Sequence, residues 1–425
     1  MRTDLDNNYC SAVDPPLETA TASDGSDANH ARASAGSIRL AIALLLCAVA
    51  VRPLAVSLGP VLPDISVDLG LSALLVGVVG MLPVICLGLF APLGVVLANR
   101  LRPEGALAVA LGVAVAFGAA RAFAPDPGTL LAMTAGLGVG MGMAGPIPSM
   151  IIKARAPGRP VMLTSAHGVG IVGGATLGAV LIVPLSVAAA GWRGGTLLVS
   201  VPILLSTLVG LIMLGRGRSV QPDRGRAGVG WRDPVAWLLT GIFGLQSFVY
   251  WALVIWLAAM LVEAGWSTTG AGAAVAIYQV ASFAGVITVG LVADRWGTRR
   301  HQLLVAAGAV TASMLSMILV SDLALAWIGL AGYALGAALP LALTLPVDLG
   351  RDEHDTGGKA GLMLLVGYLL AALGPTLIGL VREHTLAPAP IFGTLAACGI
   401  AFVLLSSRLP AGRRRVVPPL PESDG

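Results

Sequence analysis

The sequence predicts an all-α polytopic membrane protein in which twelve transmembrane helices form two pseudo-symmetric six-helix halves. Three observations carry this prediction: 56% of the 425 residues are hydrophobic, only 11% are charged, and the apolar residues fall into twelve long runs. Soluble domains carry about 25% charged residues, so this composition excludes an ordinary globular enzyme. The net charge of +4 does not indicate nucleic-acid binding, because the location of the basic residues explains it.

Each apolar run is long enough to cross a bilayer, whose hydrocarbon core of about 30 Å needs roughly 20 helical residues. The predicted spans are 40–63, 73–98, 104–123, 129–152, 161–189, 194–214, 234–261, 268–292, 302–320, 323–346, 360–381 and 388–407. Residues 1–36 are polar and contain no apolar run, so we expect a disordered cytoplasmic tail there rather than a signal peptide.

The basic residues indicate which side of the membrane the termini occupy. Of the 26 lysines and arginines, all fall in the tails or the even-numbered loops except Arg52, Arg121, Arg193 and Arg382. Because loops rich in lysine and arginine stay on the cytoplasmic side, both termini are predicted to be cytoplasmic. The protein is therefore predicted to be a multi-pass protein of the cell membrane.

The longest internal loop divides the spans six and six. We expect one half at 37–214, a cytoplasmic linker at 215–233, a second half at 234–408 and a cytoplasmic tail at 409–425. Such parallel halves are typical of one large class of secondary transporters.

The two halves also repeat in sequence. The segment Asp68-Leu-Gly-Leu-Ser72 recurs as Glu263-Ala-Gly-Trp-Ser267, at an offset of 195 residues. At the same offset, Ala98-Asn99-Arg100 recurs as Ala293-Asp294-Arg295. Two matches at one offset indicate an internal duplication.

Arg52 lies at the midpoint of the first apolar run. A guanidinium cannot lose its charge there, and its insertion at mid-span costs roughly 2.5–3.5 kcal/mol. Pro53 follows directly and removes a backbone donor, which weakens the helix. A charge held beside a weakened helix predicts a polar cavity. The alternative is an arginine that binds backbone carbonyls and locks helices together.

The duplication suggests which residues face Arg52. The offset of 195 carries Arg52 to Ser247, beside Gln246. Gln246 and Tyr250 are four residues apart and therefore share a helix face. We expect Arg52 to supply positive charge for an anionic or dipolar solute, while Gln246 and Tyr250 donate hydrogen bonds.

Two further polar residues lie inside spans and complete the predicted substrate site. Tyr368 in span eleven is expected to donate a hydrogen bond, and His167 in span five to contact the substrate or a proton. His167 is the one mid-span group that titrates near neutral pH in its ordinary state. Helix packing is the alternative role for both residues.

The sharpest motif, between spans eight and nine, reads Gly290-Leu-Val-Ala-Asp294-Arg295-Trp-Gly297-Thr-Arg299-Arg300. It resembles the cytoplasmic signature of the major facilitator superfamily, with Thr298 at a position that is usually basic. Asp294 near a helix end can pair with basic residues, while Gly290 and Gly297 permit close packing and a tight turn. We therefore expect a conformational latch formed by Gly290, Asp294, Arg295, Gly297, Arg299 and Arg300. A plain cytoplasmic anchor is the alternative.

A second resemblance extends from span one to span eleven. It rests on segments that include Arg52-Pro53, Gly59-Pro60-Val-Leu-Pro63-Asp64, Gly244-Leu-Gln246-Ser247, Pro340-Leu-Ala-Leu-Thr344 and Gly367-Tyr368-Leu-Leu-Ala-Ala-Leu-Gly374-Pro375. On these segments the chain resembles the cyanate and 2-nitroimidazole permease group of the superfamily. The resemblance implies the major facilitator fold and a carrier of a small solute. His167 departs from the group, which tends to have tyrosine there.

The sequence therefore predicts a secondary active or facilitative transporter that works by alternating access and has a small-molecule substrate. We expect no enzyme activity, cofactor or metal, and a monomer in the lipid bilayer. No Asp or Glu lies in the middle of a span, so protons and a counter-anion both stay open as coupling partners. Proton-driven drug efflux is the alternative, and a membrane-embedded enzyme or sensor is a more distant one.

Overall fold

The computed structural model describes residues 22–155, 160–215, 231–292, 298–351, 353–385 and 387–410. Eleven long apolar spans and one bent pair of helices account for twelve spans in this part of the chain, as predicted. Two short 3₁₀ helices, Arg121–Phe123 and Ser321–Leu323, join neighbouring spans. The α-helices are α1 (Ala22–Val49), α2 (Pro53–Val56), α3 (Leu58–Leu69), α4 (Ala73–Leu89), α5 (Ala91–Leu101), α6 (Pro103–Ala120), α7 (Pro127–Ala144), α8 (Ile147–Arg155), α9 (Pro160–Ala188), α10 (Trp192–Leu214), α11 (Pro234–Glu263), α12 (Thr268–Val292), α13 (Arg299–Leu319), α14 (Ala324–Leu349), α15 (Glu353–His384) and α16 (Pro388–Ser407).

The first span is longer than predicted and is broken in the middle. It runs from Gly36 to Leu69 and consists of α1, α2 and α3. Helix α1 begins at Ala22, inside the segment expected to be a disordered tail through residue 36. Alanine-rich sequence continues the helix outward from the span, because alanine has the highest helix propensity. Residues 1–21 of the predicted tail, 216–230 of the linker and 411–425 of the second tail lie outside the described residues.

The second span is the bent pair. Helices α4 and α5 meet at Phe90 and differ in direction by 52°. Pro92 lies in the first turn of α5 and has no N–H to donate to the preceding turn. The missing hydrogen bond accounts for a bend at this place.

Helices from the two sequence halves pack directly against one another in two equivalent pairs. Helix α4 packs on α15, and α12 packs on α9. The offset of 195 carries the start of α4, Ala73, to Thr268 at the start of α12. Glycines allow the close approach: a Cβ at Gly77 would lie 2.7 Å from the carbonyl oxygen of Pro375. In the other pair, the Thr176 hydroxyl donates to the Gln279 carbonyl at 3.2 Å.

One end of the bundle, here named the Asp348 end, carries an ion pair in each half. In the first half, Arg155 of α8 binds Glu104 of α6. In the second half, Arg299 of α13 binds Asp348 of α14, with 3.1 Å between Nε and Oδ2. The offset of 195 relates Glu104 to Arg299, so the acid of one half stands where the other half has its base.

The opposite end, here named the Asp68 end, also carries an ion pair in each half. Asp68 binds Arg193, and Glu263, the residue at an offset of 195 from Asp68, binds Arg382. Each guanidinium also lies over a tryptophan ring, Arg193 at 4.4 Å from the Trp192 ring centre and Arg382 at 4.6 Å from that of Trp256. These contacts hold neighbouring helices of one half together.

Candidate functional site

A small cavity lies between the two halves at the level of Arg52. Four of the five residues predicted to bind substrate line it, namely Arg52, Gln246, Tyr250 and Tyr368. The remaining lining residues are Val172, Ser247, Trp251, Ser282, Leu335, Gly336 and Leu339. The free space is about 10 Å³, which is room for roughly one water molecule. The side chains therefore almost fill the site in this conformation.

Arg52 lies at the break between α1 and α2. Its backbone is not part of either helix, and Pro53 begins α2 directly after it. The guanidinium is only 9% exposed. Its Nη2 donates to the Tyr368 hydroxyl at 3.3 Å, and its Cζ lies 5.8 Å from the centre of the Trp251 ring. A cation over an aromatic face is attracted by the electrons of the ring.

One nitrogen of the Arg52 guanidinium is left without a protein partner. Nε is buried and makes no hydrogen bond to any described part of the chain. A buried donor without an acceptor is costly, and a charged donor more so. The site therefore presents a positive group with unused hydrogen-bonding capacity.

Gln246 is held in place by its neighbours on two sides. Its amide nitrogen donates to the Leu335 carbonyl of α14 at 3.0 Å, and its amide oxygen accepts from the Ser247 hydroxyl at 2.9 Å. Gln246 is 2% exposed. These bonds fix the amide in one orientation at the wall of the cavity.

Tyr250 belongs to a buried polar and aromatic cluster between α11 and α12. Its hydroxyl lies 3.3 Å from the Gln279 amide. The Tyr278 hydroxyl donates to the Tyr250 carbonyl at 3.5 Å, and the two rings are 5.9 Å apart. Span eight thus supplies polar residues that the sequence-based site did not include. The sequence signal for these residues was the presence of polar side chains inside the apolar run of span eight.

Tyr368 is oriented by Arg52 and by an aromatic contact. Its ring meets the ring of Phe243 edge to face, with 5.1 Å between centres. The hydroxyl then points to Arg52, which donates to it. Tyr368 therefore links α15 of the second half to the broken helix of the first.

His167, the fifth predicted residue, lies near enough to Arg52 to be affected by its charge. It is not among the described residues that line the cavity. The imidazole lies close to the backbone of Leu44 in α1, and its Nδ1 is buried with no hydrogen-bond partner in the described part of the chain. His167 therefore belongs to the face of α9 that packs on α1.

Two tryptophans of α11, Trp251 and Trp256, are buried inside the bundle. Trp256 is 2% exposed, and its Nε1 donates to the Pro375 carbonyl at 2.8 Å. Trp251 is equally buried and forms part of the cavity wall. A tryptophan of an interface belt would be exposed at the headgroup level, and neither of these side chains is exposed in that way.

Half of the predicted latch lies outside the described residues, namely Asp294, Arg295 and Gly297. Gly290 is exposed at the end of α12, and a Cβ there would meet no described atom within 4 Å. Arg299 binds Asp348, and Arg300 lies beside it in the first turn of α13.

The departure from the motif at Thr298 has a local explanation. The Thr298 hydroxyl accepts the N–H of His301 at 3.3 Å and so caps the start of α13. Threonine is favoured at this position because its oxygen binds a donor that the helix leaves free.

Twelve spans in two packed halves, with a polar cavity buried between them, define a membrane transport protein. The chain belongs to the Major Facilitator Superfamily, whose family model matches residues 44–375. It is a transporter of that superfamily and not an enzyme.

Three curated relatives match most of the chain. The 2-nitroimidazole transporter of Escherichia coli is 29% identical and aligns over 81% of this chain and 88% of its own. The uncharacterized transporter YycB of Bacillus subtilis is 27% identical, over 82% and 88% of the two chains. The cyanate transport protein CynX of Escherichia coli is also 27% identical, over 80% and 89%.

Solved structures agree on the fold. A D-xylose–proton symporter superposes with a TM-score of 0.71 at 17% identity, covering 88% of this chain and 98% of that one. A bacterial homolog of the human lysosomal transporter Spinster, in an inward-facing and occupied conformation, gives a TM-score of 0.66 at 16% identity, covering 87% and 95%.

Proposed function

We propose that this protein carries a small anionic or strongly dipolar solute across the cell membrane by alternating access, with Arg52 as its main binding group. The observation that carries the proposal is the buried Arg52 guanidinium, whose Nε has no partner in the described chain. Tyr368 and Tyr250 bring hydroxyl groups to the same cavity. A solute with a negative charge or a large dipole supplies the missing acceptor.

The relatives support a solute of this class. One is named for 2-nitroimidazole and another for cyanate, the first a small polar ring and the second a small anion. The aromatic wall formed by Trp251 and Tyr250 suits a flat solute as well as a compact one. The substrate of this chain is proposed to lie in the same chemical range.

The small cavity supports alternating access. Space for about one water is less than any of these solutes needs. Binding therefore requires the halves to separate at one end of the bundle. The contacts that would open are those of α4 with α15 and of α9 with α12. Closing again around the solute would exclude water and strengthen its attraction to Arg52.

The proposed coupling follows from the charges in the cavity. Among the described lining residues, Arg52 carries the one charge. A carboxylate is the usual proton carrier in a proton-driven pump. The lining therefore favours facilitated passage or anion exchange, with a counter-anion as the partner.

We further propose the orientation in the membrane. The Asp348 end would face the cytoplasm, with both termini there, because most basic residues lie in the tails and in loops at that end. The halves at 37–214 and 234–408 would move as two bodies of one monomer. The latch at Gly290, Asp294, Arg295, Gly297, Arg299 and Arg300 would hold the cytoplasmic side closed in one state.

The test is a ligand screen followed by Arg52 variants. Purified protein is heated with cyanate, 2-nitroimidazole or small carboxylates, since a ligand at about 100 times its dissociation constant stabilises by about 2.7 kcal/mol. The ligand with the largest shift is then measured on Arg52→Ala and Arg52→Lys. Arg39→Ala, in the same span but outside the cavity, is the matched control.

Arg52→Ala should weaken binding at least 10-fold to 100-fold, at about 1.4 kcal/mol per decade. Arg52→Lys should recover part of the affinity, because a lysine is a point charge without the planar donor geometry. The folded yield should stay close to that of the control. Normal affinity in folded Arg52→Ala protein contradicts the proposal and leaves Arg52 a structural residue.

A further inference from the structure

A second arginine, Arg121, reaches the broken helix that carries Arg52. Its position near the end of span three would suit an anchor at the membrane interface. The structure instead buries it, with 1% of its surface exposed. Its Nε donates to the Gly118 carbonyl at 3.2 Å, and its Nη2 donates to the carbonyl of Leu54.

Leu54 lies in α2, the helix that begins directly after Arg52. This helix has four residues, Pro53–Val56, and Arg52 is its N-terminal cap. A single helical turn is not stable by itself, because one or two hydrogen bonds do not balance the ordering of its backbone. One residue, Ser57, joins α2 to α3 with helical φ and ψ. The position of α2, and with it the direction in which Arg52 leaves the chain, therefore depends on α3 and on contacts from other helices.

Three of these contacts come from α9, from α6 and from the 3₁₀ turn that follows α6. A Cβ at Gly178 of α9 would lie 2.7 Å from the Pro53 carbonyl oxygen, so the two backbones touch. A Cβ at Gly118 of α6 would lie 2.4 Å from Cδ1 of Leu54, so this glycine makes room for the Leu54 side chain. Arg121 adds the polar contact to the Leu54 carbonyl, which also accepts the Ser57 hydroxyl at 3.4 Å.

The 3₁₀ turn that carries Arg121 is fixed in turn from the Asp68 end. Arg193 donates to the carbonyl of Ala124, at the end of this turn, at 2.8 Å. The same guanidinium binds Asp68, near the end of α3. A chain of contacts thus runs from Asp68 in α3, through Arg193 and the 3₁₀ turn, to the bond between Arg121 and the Leu54 carbonyl in α2.

Packing alone does not account for an arginine here. Burying a guanidinium is costly, and in the described part of the chain both hydrogen bonds of Arg121 go to uncharged backbone carbonyls. Its Nη1 is also buried, with no hydrogen-bond partner among the described residues. A methionine would fill similar space without this cost. What the guanidinium adds is a bond to the backbone two residues after Arg52.

We infer that Arg121 is a positioning residue for Arg52, which holds the break in the first span so that the Arg52 guanidinium stays in the cavity. The inference rests on the proposed function, in which Arg52 binds the solute. Arg121 itself is not among the lining residues described for the cavity.

The experiment is a double-mutant cycle between the two arginines. Affinity for the best ligand of the cyanate, 2-nitroimidazole and carboxylate panel is measured on Arg121→Met, Arg52→Ala and the double variant. Arg121→Met should weaken binding about 10-fold in the natural background and less than about 2-fold in the Arg52→Ala background, because a positioning residue acts only through the group it positions. Equal losses in both backgrounds overturn the inference.

Arg121→Lys covers the case in which Arg121→Met does not fold. A lysine cannot donate to the Gly118 and Leu54 carbonyls in the same planar geometry, so an intermediate loss of about 3-fold is expected. Affinity equal to that of the unaltered protein overturns the inference.

Hydrogen exchange supplies a readout that needs no ligand. Amides of residues 50–57 should exchange faster in the Arg121 variants, while those of α13–α16 keep their rate. Unchanged exchange at 50–57 also overturns the inference. If Arg52→Ala alone leaves affinity normal, the proposed function fails, and the exchange result still decides whether Arg121 holds the break.

Discussion

The Glu383 carboxylate of α15 accepts a hydrogen bond from the backbone N–H of Leu74 in α4, at 3.3 Å. This bond joins the last turn of a helix in the second half to the first turn of a helix in the first half. In the same turn of α4, the Ser72 hydroxyl accepts the N–H of Leu75 at 3.3 Å. An acidic group is favourable at a helix N-terminus, where free N–H groups and the helix dipole attract negative charge.

Glu383→Ala should shift the protein toward a state that is open at the Asp68 end. The contact is exposed, so its loss should be worth about 1 kcal/mol, or roughly a five-fold change in the ratio of the two states. Spin labels at Val67 and His384, which are exposed in different halves, should show a larger fraction of long distances.

The matched control for this prediction is Asp126→Ala. Asp126 caps α7 by accepting the Thr129 N–H at 3.0 Å, entirely within the first half. Its loss should leave the Val67–His384 distances unchanged. The same distance distribution in Glu383→Ala and in the unaltered protein would show that the bond does not hold the halves together.

Tyr368→Phe should weaken solute binding by about 3-fold to 10-fold while the protein keeps its folded yield. The substitution removes the hydroxyl that accepts from Arg52 but keeps the ring that packs on Phe243. A hydrogen bond to a charged group is worth about 1.5–3 kcal/mol, and part of it is recovered when the freed Arg52 donor binds solute. The measurement is ligand affinity by thermal shift, with Tyr333→Phe, on the exposed surface of α14, as the control. An equal loss in both variants would contradict the role of Tyr368.

His167→Ala should lower uptake by the same factor at every pH between about 5 and 8. The reason is that His167 packs against α1 and is not among the described residues of the cavity wall. Uptake by proteoliposomes at a series of pH values measures the effect. A profile that becomes flat in the variant would instead show that the imidazole carries or gates a proton.

Asp233→Asn should lower the melting temperature at neutral pH but not in acid. Asp233 binds Lys359, with 2.8 Å between Oδ2 and Nζ, and the hydrogen bond from Lys359 holds the pKa of Asp233 below its ordinary value. A carboxyl whose folded pKa is lowered contributes stability above its unfolded pKa of about 4, and loses it as the pH falls through the folded pKa. The difference from the unaltered protein should be about 1 kcal/mol at pH 7 and should vanish well below pH 4.

Asparagine tests the ion pair alone at this position, because it removes the charge and keeps the helix cap. Asp233 also accepts the Val235 N–H at 2.9 Å, and asparagine caps helices about as well as aspartate. Asp322→Asn, at an exposed acid, serves as the control. A difference that persists with the same size in acid would mean that the ion pair is not its cause.

The sequence was informative about the site where charge and repetition coincided. Arg52 stood out because a permanent charge at mid-membrane is costly, and the offset of 195 led from it to the residues beside Ser247. The helical spacing of Gln246 and Tyr250 then put both on one face, and the structure places both in the cavity wall.

Other residues could not be placed, because periodicity carries little information inside a membrane. Lipid and protein interior are about equally apolar, so an apolar run does not reveal which face is buried. Trp256 and Arg121 lie toward span ends, where such side chains often reach the membrane interface, whereas the structure buries both. Their partners, the carbonyls of Pro375 and Leu54, are backbone groups that no side-chain pattern identifies.

The exchanged charges at the Asp348 end bear on how the two halves of the gene have diverged. Spans three and four carry their ion pair as acid then base, and spans nine and ten carry theirs as base then acid. A recombination that replaced α6 alone with its counterpart α13 would set Arg299 against Arg155, whereas a transfer of α13 together with α14 would keep a matched pair. The helix hairpin, rather than the single helix, is therefore the smallest unit that the halves can exchange without placing like charges together.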